Sequence, residues 1–226
     1  YLVIENSSDA LAGIENIGFL EGMSITQGEN YKMSFYAKAD EYKGNYTINL
    51  AVKGKVVASA DVTPTSTEWT KYSVILTPSV SSNENVTLQV LMNEGTAYFD
   101  MISLFPEDTF KGRENGLRKD LCQLLEDMQP KFLRFPGGCV IEGYDEITAY
   151  DWKDSIGVGK DGLPLLFNGK YGDVVTRSQG TSIWTDLATT EDPYPSFFSY
   201  GLGFYEYFLL CEDIGAVGVP VLNCGL

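Results

Sequence analysis

Apolar and polar residues alternate with period two through the first part of the chain. Tyr31, Met33, Phe35, Ala37 and Ala39 alternate with Lys32, Ser34, Tyr36 and Lys38. Successive side chains of a strand point to opposite faces, so this pattern predicts a half-buried strand. The same reading applies to Tyr46, Ile48, Leu50 and Val52, to Tyr72, Val74 and Leu76, and to Val86, Leu88, Val90 and Met92; the run from Ala97 to Phe105 closes the set. Turn-forming clusters separate the runs: Gly28-Glu29-Asn30, Lys53-Gly54-Lys55, Ser81-Ser82-Asn83 and Asn93-Glu94-Gly95. Short strands at this spacing predict an antiparallel β-sandwich of the jelly-roll kind over 1–105. Trp69, beside Tyr72, is expected in the sandwich core.

Near Pro106 the period changes. Leu117, Leu121, Leu124, Leu125 and Met128 form a helical stripe, so a helix is expected over 116–128, capped by Asn115 and stopped by Pro130. Phe132-Leu133-Arg134-Phe135 reads as a short strand broken by Pro136-Gly137-Gly138. Residues 139–202 show little periodicity, and a stretch this long usually carries function. A second helix is expected over 203–214, with Phe204, Phe208, Cys211 and Ile214 on one face and Gly215 at its end. Val217 to Leu222 then reads as a buried parallel strand. This is βα architecture, assigned to 106–226.

A hydrophobic share of 44% supports a packed core, and a net charge of −15 disfavours nucleic acid and anionic membranes as partners. With no His, the chain cannot build a His-dependent triad. Cys122, Cys139, Cys211 and Cys224 match no zinc spacing, and Cys122 and Cys211 are expected as buried thiols on helix stripes. No apolar run reaches the ~20 residues of a membrane span, and no signal peptide is visible. The chain starts and stops on strand-like segments, so both ends look cut.

The segment Phe132-Leu133-Arg134-Phe135-Pro136-Gly137-Gly138-Cys139-Val140-Ile141-Glu142-Gly143 resembles the F-L-R-F-P-G-G-x-x-x-E-G signature of family 51 α-L-arabinofuranosidases. Trp152-Lys153-Asp154-Ser155-Ile156-Gly157, Gly201-Leu202-Gly203-Phe204-Tyr205-Glu206 and Asn223-Cys224-Gly225 follow in the order the resemblance requires. It covers about 106–226, and the upstream sandwich is similar to the carbohydrate-binding-module-like domain of some members. The resemblance implies part of a (β/α)8 barrel, and retaining hydrolysis of terminal arabinofuranosyl residues of arabinan or arabinoxylan by two Glu residues. Both Glu residues are expected beyond residue 226, so no catalytic residue is assigned within the chain, and Glu142 and Glu206 are poor substitutes. It also implies an arabinose-containing polysaccharide or oligosaccharide as partner, no cofactor, and a location outside the cell, at its surface or in the periplasm.

In a (β/α)8 barrel the ligand meets the C-terminal ends of the strands. Gly137, Gly138, Cys139 and Asn223, at or just past such ends, are therefore candidate substrate-binding residues; the resemblance adds Glu142, which matches the E-G after the Gly pair, and Trp184 of the long loop, which resembles a family tryptophan near the arabinose site. Cys139 reads equally as a packed thiol, and Trp184 equally as a loop anchor. Arg134 is expected to pair with an internal carboxylate. Asp100 resembles a calcium-holding Asp of sandwich modules, although a turn-bonded Asp explains it as well. Two further function classes stay open: a carbohydrate-binding module without catalysis, and a structural domain without ligand.

Overall fold

The computed structural model describes residues 1–18, 22–39, 42, 44–143, 149–153, 155–156, 180–181, 197–198 and 202–223. The chain divides into two units, Tyr1–Asp108 and Thr109–Leu226.

The first unit is two antiparallel sheets. Its strands are β1 (Leu2–Asn6), β2 (Ala12–Asn16), β3 (Met23–Ile25), β4 (Tyr31–Lys38), β5 (Tyr46–Val52), β6 (Lys55–Val62), β7 (Thr70–Leu76), β8 (Ser82–Met92) and β9 (Gly95–Pro106). One sheet runs β1-β9-β4-β7; the other runs β2-β8-β5-β6, with β3 also on β8. The period-two residues fill the space between them. Phe35, Tyr46 and Phe99 are fully buried, with Tyr46 and Phe99 edge to face at 4.8 Å and Phe35 and Phe99 at 5.7 Å. Burying a side chain of this size stabilises by roughly 1.5–3 kcal/mol. The pleat explains the order: residues i and i+2 share a face, so one alternating run delivers four or five rings and aliphatics to one core.

Trp69 departs from the expectation. It lies just before β7, outside the alternation that faces inward, and is 40% exposed. Asp100 sits where β9 shifts register, between its pairing with Tyr36 and the Ser103 pairing with Ser34. Its Oδ1 accepts the Met101 N–H at 2.8 Å, and Met101 has a φ of 50°. The carboxylate thus serves a local turn. Calcium needs six to eight oxygens, and the described residues hold no group of three His, Cys, Asp or Glu suited to a metal.

The second unit holds a 3-10 turn at Phe110–Gly112, helices α1 (Lys119–Asp127), α2 (Cys139–Glu142) and α3 (Phe204–Ile214), and strands β10 (Phe132–Phe135), β11 (Gly180–Thr181), β12 (Phe197–Phe198) and β13 (Val217–Pro220). β10 and β13 pair in parallel, Phe132 with Val217 through Phe135 with Pro220, and β11 and β12 pair antiparallel. α3 ends at Gly215, which is left-handed as expected (φ 71°).

Four expectations are corrected here. α1 begins three residues late, because Asn115 adopts a positive φ of 53° and does not cap it. Its stripe is largely exposed, up to 75% at Met128, with only Cys122 buried. β13 was expected buried, yet Val217 is 66% exposed and its partner Phe132 is 62% exposed. An apolar pattern reports which face seeks cover, not whether the described residues supply it. Phe208, expected on the buried face of α3, is also largely exposed, while Leu209 and Leu210 are buried instead.

Candidate functional site

The site is built at the C-terminal ends of β10 and β13. Phe135 anchors the first: it is buried, stacks on Tyr207 at 4.5 Å and 11°, and meets Phe204 and Phe208 edge-on at 5.4 and 5.3 Å. Its carbonyl accepts the Val221 N–H at 2.7 Å, which carries the pairing past the end of the ladder. Beyond it the chain turns through Pro136-Gly137-Gly138 into the single turn of α2. Gly137 has a φ of +147°, a conformation that side-chain-bearing residues rarely adopt. A Cβ built at Gly137 or Gly138 would find no atom within 4 Å, so the backbone here faces open space. Buried Ile141 fixes α2 underneath.

Asn223 lies three residues past the last paired residue of β13, as Gly138 lies three past that of β10. Its Nδ2 donates to the Ile141 carbonyl at 3.2 Å. The structure therefore brings Gly137, Gly138, Cys139, Glu142 and Asn223 to one end of the parallel pair. Cys139 is an exposed free thiol, not a packed one. Glu142 is exposed at the end of α2. Trp184 lies outside the described residues. Arg134 is exposed, and its guanidinium donates to the Gly137 carbonyl at 3.4 Å. A residue one step out of the buried register faces outward, so among the described residues it meets a backbone oxygen instead of the expected internal carboxylate.

Glu206 is a buried carboxylate of this unit. It is fully enclosed, and its Oε2 accepts the Gly203 N–H at 2.8 Å, half of a capping box at the start of α3. A group so enclosed has no path to a sugar. Ser155, also fully buried, accepts the Phe204 N–H at 3.1 Å and donates to the Trp152 carbonyl at 2.7 Å. Sequence reasoning missed this clamp, since a lone serine in an irregular segment gives no periodic signal. It also missed Arg113, whose guanidinium forks onto Asp213 at 2.7 and 2.6 Å. Burial pushes the thiols of Cys122 and Cys211 up, with Asp120 and Asp213 adding to the effect at Cys122, so both stay protonated and inert near neutrality.

Chemically, the described residues of the rim offer uncovered backbone, an amide, a thiol and one carboxylate. That set can hydrogen-bond a neutral polyol. It does not supply the two carboxylates about 5–5.5 Å apart that a double displacement needs.

Residues 124–226 match the family described as the α-L-arabinofuranosidase 1 domain, and residues 15–96 the one described as a carbohydrate binding domain. An extracellular exo-α-L-arabinofuranosidase of Streptomyces chartreusis is 33% identical over 96% of this chain, which spans 24% of that protein. α-L-Arabinofuranosidase A of Aspergillus niger is 32% identical over 98% of the chain, which spans 32% of it. An arabinose-bound family 51 α-L-arabinofuranosidase superposes with a TM-score of 0.76 at 27% identity, over 96% of this chain and 33% of that one. The chain thus spans a quarter to a third of the length of these relatives.

Proposed function

The chain belongs to the family 51 α-L-arabinofuranosidases, and from that premise we propose that it supplies one wall of the sugar site in an enzyme that removes terminal α-L-arabinofuranosyl residues from arabinan or arabinoxylan. The observation that carries this reading is the Asn223 to Ile141 hydrogen bond, which ties the end of β13 to the turn after Gly137-Gly138. A strand-end rim with open glycine backbone is where a barrel enzyme meets its ligand. Gly137, Gly138, Cys139 and Asn223 form the wall. The exposed apolar residues of β10, β13 and α1 support the barrel part of the reading, because further strands and helices of a (β/α)8 barrel cover such faces. The retaining mechanism uses two Glu residues outside these 226 positions. Glu206 is committed to its helix cap, and Glu142 alone cannot perform both roles. The enzyme works outside the cell, as the name of the Streptomyces relative says of that protein. No helix among the described residues is long and apolar enough to cross a membrane.

The test is turnover of an aryl α-L-arabinofuranoside. In the full-length enzyme, Asn223→Ala is expected to lower kcat/KM by roughly tenfold to a hundredfold, the scale of a misplaced substrate contact. The 226-residue chain alone is expected to show no turnover. Turnover by that chain, abolished in Glu142→Gln, would overturn the assignment of the carboxylates; an unchanged kcat/KM in Asn223→Ala would overturn the wall.

A further inference from the structure

The two outer faces of the sandwich differ in chemistry. On the five-stranded sheet, polar side chains bond one another: Thr47 to Asp61 at 2.8 Å, Asn49 to Gln89 at 3.2 Å, and Thr87 and Gln89 to Glu15 at 2.6 and 3.0 Å. On the four-stranded sheet, the outward positions carry rings and lysines beside the carboxylates of Glu5 and Asp100. Register places Lys38 opposite Tyr98 of β9, and the pairing of Ala37 with Thr70 puts Trp69 on the other side of Lys38. The next outward row holds Asp100, Tyr36 and Lys71. The Lys38 ammonium lies 4.6 Å from the Tyr98 ring centre and 5.9 Å from that of Trp69; Lys71 lies 5.9 Å from that of Tyr36. Tyr1 closes the group, 5.8 Å from Trp69 and 6.0 Å from Tyr98.

This face runs against the charge of its surroundings. Residues 1–108 contain fourteen acidic and six basic residues, yet Lys32, Lys38 and Lys71 occupy outward positions of this one sheet. Exposed aromatic faces pack against the C–H faces of sugar rings, and ammonium groups beside them attract carboxylates. We propose that the outer face of sheet β1-β9-β4-β7 binds an acidic, uronate-bearing polysaccharide, with sugar rings on Trp69 and Tyr36 and carboxylates on Lys38 and Lys71. Two strand spacings, roughly 9.5 Å, separate the strand of Tyr98 from that of Trp69, so a polymer lying across the strands meets both rings and the cation between them. Rings with cations also suit single-stranded nucleic acid. The net charge of −15 and the match of residues 15–96 to a carbohydrate binding domain favour the polysaccharide. The proposal does not rest on the hydrolytic reading, because its assay measures binding alone.

The experiment is affinity electrophoresis of the 226-residue chain in gels holding polygalacturonate, neutral arabinan or no polymer, with oligothymidylate as competitor. Polygalacturonate is expected to retard the chain, and added salt to weaken the effect. Trp69→Ala and the double variant Lys38→Gln/Lys71→Gln are each expected to lose about tenfold in affinity, while Trp69→Phe keeps most of it. These side chains are outside the core, so an unchanged melting temperature separates lost binding from lost folding. No retardation, equal retardation by neutral arabinan, displacement by oligothymidylate alone, or full affinity in the alanine and glutamine variants each overturns the proposal.

Discussion

Gly203 illustrates how one atom is decided at the residue scale. A Cβ there would lie 2.1 Å from the Ser155 carbonyl oxygen, a backbone atom that cannot swing aside. Gly138 has nothing within 4 Å of the same construction. The two glycines therefore serve different ends, one for close packing at the start of α3 and one for access at the strand end. Gly203→Ala is expected to destabilise by about 1–3 kcal/mol through overpacking, read as a lowered midpoint in urea. Gly138→Ala is expected to leave that midpoint unchanged. A tolerated Gly203→Ala would mean that Ser155 and its clamp on Phe204 can move. The glycines were legible in the sequence as a motif, but which of them is packed and which is open was not, because the answer depends on Ser155, forty-eight positions earlier.

Elements are held in place by a few cross-links of unequal worth. Arg113 lies beyond the 3-10 turn and reaches Asp213 near the end of α3 with a bidentate fork. The two side chains are 25% and 7% exposed. Arg118 and Asp120 make a pair of similar length, 2.6 Å, but both are more than half exposed. Exposed pairs contribute little because water screens them, whereas removing one partner of a buried pair costs about 3–5 kcal/mol. Arg113→Ala is expected to fall below that upper figure, at roughly 2 kcal/mol, because its own side chain is partly solvated. Arg118→Ala is expected to give no measurable change. Chemical denaturation of the two variants checks the ranking, and equal effects would refute it. Helix boundaries follow the same logic. The spacing of Leu117 to Met128 marked a helix, but its start was set by the bridge between Thr109 and Arg118 and the left-handed Asn115.

For the whole molecule, the two units differ in how completely they cover their apolar residues. The sandwich encloses its core between two sheets, from Ile4 to Phe99. The second unit leaves Leu121, Leu124, Met128, Phe132 and Val217 exposed. Exposed apolar surface of this kind binds partners or dye. The 226-residue chain is expected to enhance the fluorescence of an anilinonaphthalene sulfonate dye, and Leu124→Lys/Met128→Lys to reduce that signal without lowering the melting temperature. A signal unaffected by the pair would place the binding elsewhere.

By itself the sequence determined five of the nine sandwich strands, β4, β5, β7, β8 and β9, the parallel pairing of the Phe132 and Val217 segments, the left-handed Gly215 and the motif at Pro136-Gly137-Gly138. These follow from local rules: a period of two or 3.6 residues, and backbone angles that only some residues adopt. The tertiary structure decided the meeting of Asn223 with Ile141, the burial of Glu206 against Gly203, the exposure of Cys139 and the outward placement of Trp69 among lysines. Each of these depends on residues distant in the chain, or on which side of a register step a side chain falls. A shift of one position moves a side chain to the opposite face of a sheet, and no local pattern around Trp69 or Arg134 records that choice.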